Sequence, residues 1–504
     1  MMFESAELGH EISKERYAKE EPALRHALLT AQYELVKRAE FSVLIVIAGV
    51  DGGGKGETLN MLNEWMDPRH IQTNAMRPVM EDSGRPPMGQ FWRLLPPKGR
   101  IAIFVGSWYS QPLIRRVYGE IKTATLDQEI DDILKFERML TNEGTLLLKF
   151  WLHLSKARQR ERLEELATSK KTAWRVGDTD WKHLGMYKRF YATSQHLLRA
   201  TSTAEAPWLV VEGADGRYRN LTIGNAVLAS LRARLAVTDQ AASRKPAAAE
   251  PAGERTPAVS PWISSIDGVS VLDRLALDGD LDTEAYRDQL AGLQGRLNRL
   301  TRHRRFEKLS VVAAFEGCDA AGKGGAIRRV TQALDARKYD VIPIAAPTDE
   351  EKARPYLWRF WRHIPERGRI AIFDRSWYGR VLVERVERYC GPADWTRAYS
   401  EINDFEHHLA NSRTVIVKFW LQISKDEQLR RFDERAQTPF KQHKITDEDW
   451  RNRDKWDAYN TAVCEMIDRT STQLAPWTLV GANNKYVARL SVIRALADAI
   501  DAAL

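Results

Sequence analysis

The sequence contains two copies of a short glycine-rich segment, each placed between an apolar run and a helical pattern. The second copy, GCDAAGKGG at 317–325, follows the apolar run 309–315, and the helical pattern continues to about Leu334. An apolar strand, a glycine-rich turn and a helix in this order form the context of a phosphate-binding loop. The feature predicts an α/β fold in which a buried parallel strand leads into the loop and the loop into a helix N-terminus.

The residue types of the second loop fit the binding of phosphate. Gly317 and Gly322 allow the backbone to approach phosphate oxygens, while N–H groups at the helix N-terminus and Lys323 supply positive potential. A magnesium-binding Ser or Thr usually follows this lysine, but here Gly324 does. Asp319, inside the loop, is our candidate for the missing metal ligand. A glycine turn that only happens to contain a lysine is the plainer alternative, and the flanking strand and helix disfavour it.

Much of the chain repeats at a nearly constant offset. The first loop copy, GVDGGGKGE, lies at 49–57 and also follows an apolar run, 42–48. Further matches are FWRLLPPKGRIAIF at 91–104 with FWRHIPERGRIAIF at 360–373, KFWL at 149–152 with 418–421, and APW at 206–208 with 475–477. Matches across a whole half indicate duplication of a complete domain, because a solenoid would need more and shorter repeats. We predict domains at 1–236 and 263–504, joined by an Ala- and Pro-rich surface linker at 237–262.

The sequence pattern of each half predicts a helix, a strand, the loop, a helix and then strands that alternate with helices. The N-terminal helices are expected at 14–39 and within 263–308, and the later strands of the second half near 341–344, 370–373, 415–419 and 478–480. Such alternation predicts a parallel sheet covered by helices on both faces. Ligands are expected at the carboxyl ends of the strands, where the loop lies.

The overall composition disfavours a membrane-spanning, secreted or zinc-binding protein. No apolar run approaches the length of a membrane span, the N-terminus lacks a signal-peptide core, and three cysteines are too far apart for a disulfide framework or a zinc site. We therefore expect a cytoplasmic protein without a membrane partner. The net charge of +8 is consistent with an anionic partner, which could be nucleic acid, a nucleotide or another polyanion, or with a basic surface only.

A second candidate site feature ends the strand at 370–373. Asp374 follows this strand beside the predicted loop, where phosphoryl-transfer folds hold magnesium. An aspartate that caps the next helix is the plainer alternative. The first half has Val105 in place of Asp374 and Gly106 in place of Arg375. Without the acid, metal binding and charge neutralisation should weaken, so we predict that the first half is degenerate and inactive or nearly so.

Several charged residues after Asp374 suggest a lid. The candidate lid residues are Arg375, Arg380, Glu384, Arg385 and Arg388. Arginine binds phosphate in a bidentate manner, and a mobile helical lid excludes water during transfer. A solvated helix face is the alternative. Many other arginines in this half would suit a long polyanion, although scattered surface arginines would look the same.

Taken together, these segments resemble the polyphosphate kinase 2 family. The similar segments are GCDAAGKGG, FDRSWYGR with the following VERV, PTDEE with LWRFW, and KFWLQISKDEQLRR. The resemblance covers essentially the whole chain as two fused copies. It implies two tandem P-loop kinase domains of the thymidylate-kinase-like type, each a parallel sheet flanked by helices with a helical lid. It also implies phosphate transfer between inorganic polyphosphate and a nucleotide with Mg²⁺, or Mn²⁺ in its place. Fused members resemble the class that converts nucleoside monophosphates, chiefly AMP, to diphosphates.

The resemblance assigns expected roles to individual residues. Catalytic roles are expected for Asp319, Lys323, Asp374, Arg375 and Arg380, with Asp319 and Asp374 as metal ligands. Phosphate binding is expected from Gly317, Gly322, Gly324, Gly325, Arg328, Arg385 and Lys418, and nucleotide or lid contacts from Glu384 and Arg388. The expected partners are polyphosphate and a nucleoside monophosphate, without nucleic acid or membrane. The resemblance leaves open whether the chain forms a homo-oligomer. Two alternatives remain: an ATP-dependent nucleotide kinase on the same fold, and a non-catalytic polyanion-binding protein.

Overall fold

The computed structural model describes residues 2–76, 84–243, 269–438 and 447–504, which form two compact units. The described residues of the first unit are 2–76, 90–243 and 347–358, and those of the second are 84–89, 269–346, 359–438 and 447–504. The short segments 84–89 and 347–358 therefore belong to the unit opposite to the one expected from a division at the linker. The last helix of the first unit continues to Ser243, beyond the predicted linker start at 237, and residues 244–262 lie outside the described residues.

The first unit is built on a sheet of five parallel strands. They are β1 (Val43–Gly49), β2 (Ile71–Ala75), β3 (Ile101–Val105), β4 (Leu146–His153) and β5 (Trp208–Glu212), in the order β2-β3-β1-β4-β5. The α-helices in this part of the chain are α1 (Lys14–Arg38), α2 (Lys55–Trp65), α3 (Pro87–Arg93), α4 (Ser110–Tyr118), α5 (Thr123–Asn142), α6 (Lys156–Thr168), α7 (Asp178–Gly185), α8 (Tyr187–Thr201) and α9 (Gly216–Ser243).

The second unit repeats this arrangement. Its strands are β6 (Ser310–Gly317), β7 (Tyr339–Pro343), β8 (Ile370–Asp374), β9 (Thr414–Gln422) and β10 (Trp477–Gly481), in the parallel order β7-β8-β6-β9-β10. The α-helices are α10 (Thr283–Arg302), α11 (Lys323–Thr331), α12 (Asp349–Lys352), α13 (Trp358–Trp361), α14 (Val383–Val386), α15 (Pro392–Asn411), α16 (Lys425–Gln437), α17 (Asp447–Asp454), α18 (Trp456–Thr470) and α19 (Lys485–Ala503). Residues 349–352 belong to the first unit.

The central strand of each sheet is apolar along its length because helices cover both faces. In β6, Val311–Phe315 are fully buried, and one face packs against Val330 of α11 and Val492 of α19. In the first unit Leu62 of α2 and Ile223 of α9 occupy the matching places. Burial on both faces explains why these strands read as continuous apolar runs. The core holds β6 at the centre of the sheet, so the loop that follows it lies at the carboxyl edge.

The predicted fold class, two α/β units on parallel sheets flanked by helices, is confirmed. The helix after the second loop ends at Thr331, earlier than the predicted Leu334, because residues 332–334 form a tight turn. The strand expected at 341–344 begins at Tyr339, since this edge strand is only partly buried and lacks a continuous apolar run. Within the described residues, no helix is both long and apolar enough to span a bilayer.

Candidate active site

The loop of the second unit is shaped by its glycines and by the neighbouring strand. A Cβ atom at Gly317 would collide with the backbone carbonyl of Leu421 on β9, so the close approach of the two chains requires glycine. Gly322 has a φ of +105°, in the left-handed region, and α11 begins at the next residue. The chain therefore turns directly from β6 into the N-terminus of α11, where backbone N–H groups can bind an anion.

Two side chains of helix α16 hold the loop in place by hydrogen bonds to its carbonyl groups. Arg431, which is buried, donates to the carbonyl oxygens of Ala320 at 2.9 Å and of Ala482 at 2.7 Å. The Gln428 side-chain amide donates to the Asp319 carbonyl at 3.2 Å. These bonds occupy carbonyls of the loop. Both residues lie in the KDEQLRR segment, but nothing in the sequence indicated that they brace the loop.

Lys323 lies where two cavities meet. Its ammonium group donates to the carbonyl oxygens of Gly317 at 2.7 Å and Cys318 at 3.3 Å, and no other partner occurs among the described residues. An ammonium group has three protons, so one is left for a ligand. Lys323 lines an outer cavity of about 550 Å³, which lies over α11, and an inner cavity of about 90 Å³ on the other side of the loop.

The outer cavity is strongly basic. Its cationic residues besides Lys323 are Arg328, Arg329, Arg431, Arg435, Lys485 and Arg489, and its acidic residues are Asp374 and Glu434. Gly322, Gly324 and Gly325 also line it. The structure thus brings together the predicted residues Asp374, Arg328 and the loop glycines. This charge balance favours an extended polyanion over a neutral ligand.

The inner cavity combines aromatic rings with a small set of polar groups. Its rings include those of Trp420, Trp456 and Tyr459. Asp319 also lines it: one carboxylate oxygen accepts from the Asn452 amide at 2.8 Å, and the other lies 3.5 Å from an Arg375 terminal nitrogen. Since an ion pair at 3.5 Å is loose, the Arg375 guanidinium can still turn toward a ligand.

Arg375 adopts a backbone conformation that is unusual for its residue type. Its φ is +64°, and its N–H donates to the Phe315 carbonyl at 3.1 Å, which fixes the turn after β8. A non-glycine residue in this region costs about 1 kcal/mol or more. The matching residue of the first unit, Gly106, has a φ of +77°. The first unit therefore has the same turn with an unstrained residue but without a guanidinium group.

Glu316 is a site residue that the sequence analysis missed. Its buried carboxylate accepts from the Ser376 hydroxyl at 2.8 Å and lines the inner cavity. Burial raises the pKa of Glu316, while the Ser376 hydrogen bond and the charges of Lys323 and Arg375 oppose this rise. The residue directly follows an apolar strand sequence, and no spacing pattern pointed to it.

The structure contradicts the prediction that Lys418 binds phosphate. Its fully buried ammonium group donates to Glu406 at 2.8 Å, to the Tyr378 hydroxyl at 2.8 Å and to the Thr470 carbonyl at 2.7 Å. All three protons are used. Burial lowers the pKa of Lys418, and the negative charge of Glu406 opposes that shift. Lys418 holds β9 against α15 and α18, and no proton remains for a ligand.

Part of the segment predicted as a mobile lid, 375–388, is packed into the core. Trp377 and Tyr378 are completely buried, and a mobile lid formed by the rest of the segment stays a prediction. Arg385 forms an ion pair with buried Glu465 at 2.6 Å and donates to the Tyr399 hydroxyl at 2.7 Å. The Arg385 guanidinium is therefore held by α15 and α18 and lines neither cavity.

Three further predicted residues lie outside both cavities. Arg380 forms an ion pair with Glu384 at 2.9 Å, and Arg388 is exposed with a φ of +60°. Neither cavity lining includes them. A direct role of Arg380, Glu384 or Arg388 in binding a ligand stays a prediction.

The first unit has a loop of the same shape, but its own side chains fill it. Lys55 donates to the carbonyls of Gly49 at 2.9 Å and Val50 at 3.0 Å and to the Asp51 carboxylate at 3.3 Å, which uses all three protons. Glu57, in the first turn of α2, pairs with Arg219 of α9 at 2.8 Å. The repeat aligns these two residues with Gly325 and Ala488 of the second unit.

The Arg219 side chain lies directly on this first loop. A Cβ atom at Gly54 would collide with its guanidinium group, and Arg162 and Arg175 lie within 2.9 and 3.5 Å of the Glu57 carboxylate. Glu57 thus brings a negative charge, with its arginine partners, to the first turn of α2, near the place that a bound anion would take. The first loop is therefore satisfied internally, whereas the second is not.

Comparison with known proteins agrees with this geometry. The family model described as Polyphosphate kinase 2 (PPK2) matches residues 11–238 and 280–504. Proteins named polyphosphate:AMP phosphotransferase are 57% identical in Pseudomonas aeruginosa and 48% identical in Pseudomonas syringae pv. tomato, each over 100% of this chain and 99% of the relative. A crystal structure from Pseudomonas aeruginosa assigned to polyphosphate kinase 2 superposes with a TM-score of 0.87 at 54% identity, and the match covers 100% of this chain and 99% of that one. The chain, which pairs one open and one internally filled phosphate loop, belongs to the polyphosphate kinase 2 family.

Proposed function

We propose that this protein transfers the terminal phosphoryl group of inorganic polyphosphate to AMP, forming ADP, and that the second unit catalyses the reaction. The observation that carries this proposal is the position of Lys323 between a basic outer cavity and an aromatic inner cavity. A donor and an acceptor that enter from opposite sides would meet at its ammonium group. The relatives named polyphosphate:AMP phosphotransferase support this choice of donor and acceptor over an ATP-dependent kinase or a non-catalytic polyanion-binding protein.

The outer cavity is the proposed site of polyphosphate. Arg328 and Arg329 of α11 and Lys485 and Arg489 of α19 line it together with the loop. Each cation can neutralise one phosphate of a long chain. A single nucleotide triphosphate would not need so many charges, so this cavity fits a polymeric donor.

The inner cavity is the proposed site of AMP. Its aromatic residues, such as Trp420 and Trp456, offer flat faces to a base. Arg375 lies at the same cavity and can pair with the acceptor phosphate, because its contacts with Asp319 and Glu448 are loose at 3.5 and 3.6 Å.

Magnesium is the proposed cofactor, and manganese could replace it. Among the described residues there is no cluster of three or more His, Cys, Asp or Glu side chains that could hold a metal on its own. Mg²⁺ is commonly bound by one or two carboxylates together with substrate phosphates. Asp319 and Asp374, which line the inner and outer cavities, fit that type of site. When bound, the ion would neutralise negative charge on the transferring phosphoryl group.

The chemistry needs no covalent intermediate with the protein. An oxygen of the AMP phosphate attacks the terminal phosphorus, the bond to the bridging oxygen breaks, and polyphosphate leaves one unit shorter. The acceptor phosphate is already ionised near neutral pH, so a strong general base is unnecessary. The chain contributes position and charge: Lys323 and the N-terminus of α11 bind the transferring group, and Arg375 orients the acceptor.

The first unit is proposed to be catalytically inactive. It has Val105 at the end of β3, Gly106 in place of an arginine, and a loop occupied by Glu57 and Arg219. This unit would therefore contribute to packing or to binding of other ligands.

A direct test is an ADP assay with purified full-length protein, AMP, Mg²⁺ and long-chain polyphosphate. We expect ADP from polyphosphate without ATP, at least a hundredfold less ADP with Lys323→Ala, and an almost unchanged rate with the matched variant Lys55→Ala. The physical reason is that Lys323 has a proton left for a phosphate whereas Lys55 has none.

A parallel assay contains ATP and AMP without polyphosphate, because an adenylate kinase also forms ADP from this pair. Product with ATP alone would assign the protein to conventional kinases. Equal losses in Lys323→Ala and Lys55→Ala would show that the second unit is not the sole working site.

A further inference from the structure

The first unit contains a partly open cavity that the proposed reaction does not use. It has a volume of about 220 Å³ and lies beside the filled loop, between β4, α4 and α8. Its aromatic lining includes Tyr109, Trp151, Tyr187, Phe190 and Tyr191. One water molecule occupies about 30 Å³ of liquid, so the cavity is large enough for a small organic molecule. Flat aromatic walls favour a planar ring.

Two buried polar atoms at this cavity have no partner among the described residues. They are the indole N–H of Trp151 and Nδ1 of His153, and both side chains are less than 5% exposed. In the second unit the matching Trp420 indole donates to the Gln422 side-chain oxygen at 2.7 Å. Replacement of this glutamine by His153 leaves the Trp151 donor unmatched. A buried donor without an acceptor costs about 1–3 kcal/mol, which a ligand could recover.

The contacts of His153 define which hydrogen-bonding role each nitrogen has. Its Nε2 lies 2.8 Å from a Glu7 carboxylate oxygen, and the Phe3 ring stacks on the imidazole at 4.5 Å. A carboxylate only accepts, so Nε2 carries a proton. Burial lowers the pKa of His153 and favours the neutral ring, in which Nδ1 is an acceptor. Because Trp151 and His153 lie two residues apart on β4, their side chains share one face of the strand. The cavity therefore presents one donor and one acceptor on the same side.

The loop beside the cavity disfavours a phosphorylated ligand. All three protons of Lys55 are already used. Asp51, which also lines the cavity, pairs with Lys55 at 3.3 Å and with His183 at 2.7 Å. Burial opposes ionisation of Asp51, but the charge of Lys55 and the hydrogen bond with His183 lower its pKa to about 2, so it is negatively charged near neutral pH. An added phosphate would meet this charge without an unused cation to balance it.

We propose that this cavity binds an unphosphorylated nucleobase or nucleoside of the adenine type, with Trp151 donating to a ring nitrogen and His153 accepting from the exocyclic amino group. Adenine presents an acceptor and a donor side by side on one edge, which complements the pair on β4. The inference concerns a binding site that is separate from phosphoryl transfer and does not depend on it.

Isothermal titration calorimetry of the full-length protein with adenine and with adenosine tests the site. Trp151→Phe removes the donor but keeps a ring. His153→Gln restores the residue of the second unit, so that Trp151 gains an internal acceptor. We expect wild-type protein to bind, and both variants to bind at least tenfold more weakly. The titrations are run with AMP present, so that the inner cavity of the second unit is occupied. The control variant Asp340→Asn, which lies outside these cavities, should change this binding by less than twofold.

Thermal unfolding separates loss of the site from loss of the fold. His153→Gln should melt close to the wild-type temperature, because the acceptor gained by Trp151 offsets the lost Glu7 hydrogen bond and Phe3 stacking. If Trp151→Phe does not fold, the result for His153→Gln decides. Binding of adenine as tightly as adenosine would identify a nucleobase site, and tighter binding of adenosine a nucleoside site. Unchanged affinity in folded His153→Gln, an equal loss of binding in Asp340→Asn, or no binding to the wild type at millimolar ligand would each overturn the proposal. The last result would mean that water alone fills the cavity.

Discussion

Substituting Asp374 by Asn is expected to lower turnover by about 10³-fold, which corresponds to about 4 kcal/mol in the activation barrier, while the fold stays intact. Asp374 ends β8 and lines the outer cavity beside Lys323. Asparagine has nearly the same shape, so packing is kept, but a neutral amide is a weaker ligand than a carboxylate for a hard cation. The measurement is kcat for ADP formation at saturating AMP and polyphosphate, together with the unfolding temperature.

A matched control for this variant is Asp340→Asn. Asp340 belongs to neighbouring strand β7, near the opposite end of the sheet from the loop, where it pairs with Arg369 at 2.8 Å. Surface pairs of this kind contribute little to stability, so both turnover and unfolding should be almost unchanged. A folded Asp374→Asn protein with wild-type kcat would refute the role proposed for the strand-end acid.

The second large effect concerns stability. Lys418→Met is expected to destabilise the protein by about 3–5 kcal/mol, because it leaves the Glu406 carboxylate buried without its cation. Burial already raises the pKa of Glu406, and Lys418 opposes that rise. The measurement is the free energy of unfolding from urea titration. A phosphate-binding lysine would behave differently, since its loss would raise KM for polyphosphate and leave unfolding unchanged.

The first unit supplies the control for this prediction. Lys149 is equally buried and donates to Glu137 at 2.7 Å, to the Tyr109 hydroxyl at 3.2 Å and to the Thr201 carbonyl at 2.6 Å. Lys149→Met should therefore cost a similar free energy. Adding Glu406→Leu to Lys418→Met should recover only part of the loss, because it removes the unpaired charge but leaves the Trp377 N–H and the Tyr378 hydroxyl without their acceptor. Full stability of Lys418→Met alone would contradict the interpretation.

The sequence predicted the parallel sheets and the loop because their determinants are local. A strand buried on both faces must be apolar along its length, as at 370–373, and a turn that passes close to a neighbouring strand must have glycine, as at Gly317. The roles of Lys418 and Arg385 were wrong for the opposite reason. The sequence around a lysine on an apolar strand, or around an arginine on a short helix, is the same whether that side chain binds phosphate or a buried carboxylate. Only tertiary packing brings Glu406 and Glu465 to these two cations.

Some residues of the inner cavity were not predicted, because only tertiary packing brings them to the loop. Glu448 and Asn452 lie on α17, far along the chain from Asp319, and no periodicity connects them with the loop. Glu316 directly follows an apolar run, and no spacing pattern marks it. In the first unit, the loss of the strand-end acid at Val105 was visible in the sequence, but the contact between Glu57 and Arg219 was not, because α2 and α9 are distant in sequence.

The ion pair of Glu57 with Arg219 places a carboxylate in the first turn of α2 and a guanidinium directly against Gly54, so the first loop carries a charged pair of its own where the second loop has none. Restoring an aspartate at position 105 would therefore not revive this unit, because the cradle would still be occupied. To give this unit activity, Glu57 and Arg219 would first be changed to the glycine and alanine that the second unit has at these positions. Only then could an added aspartate or arginine bind a substrate or a metal. The inactivity that we propose for this unit would thus have two separate causes, the absence of a strand-end acid and the ion pair at the loop.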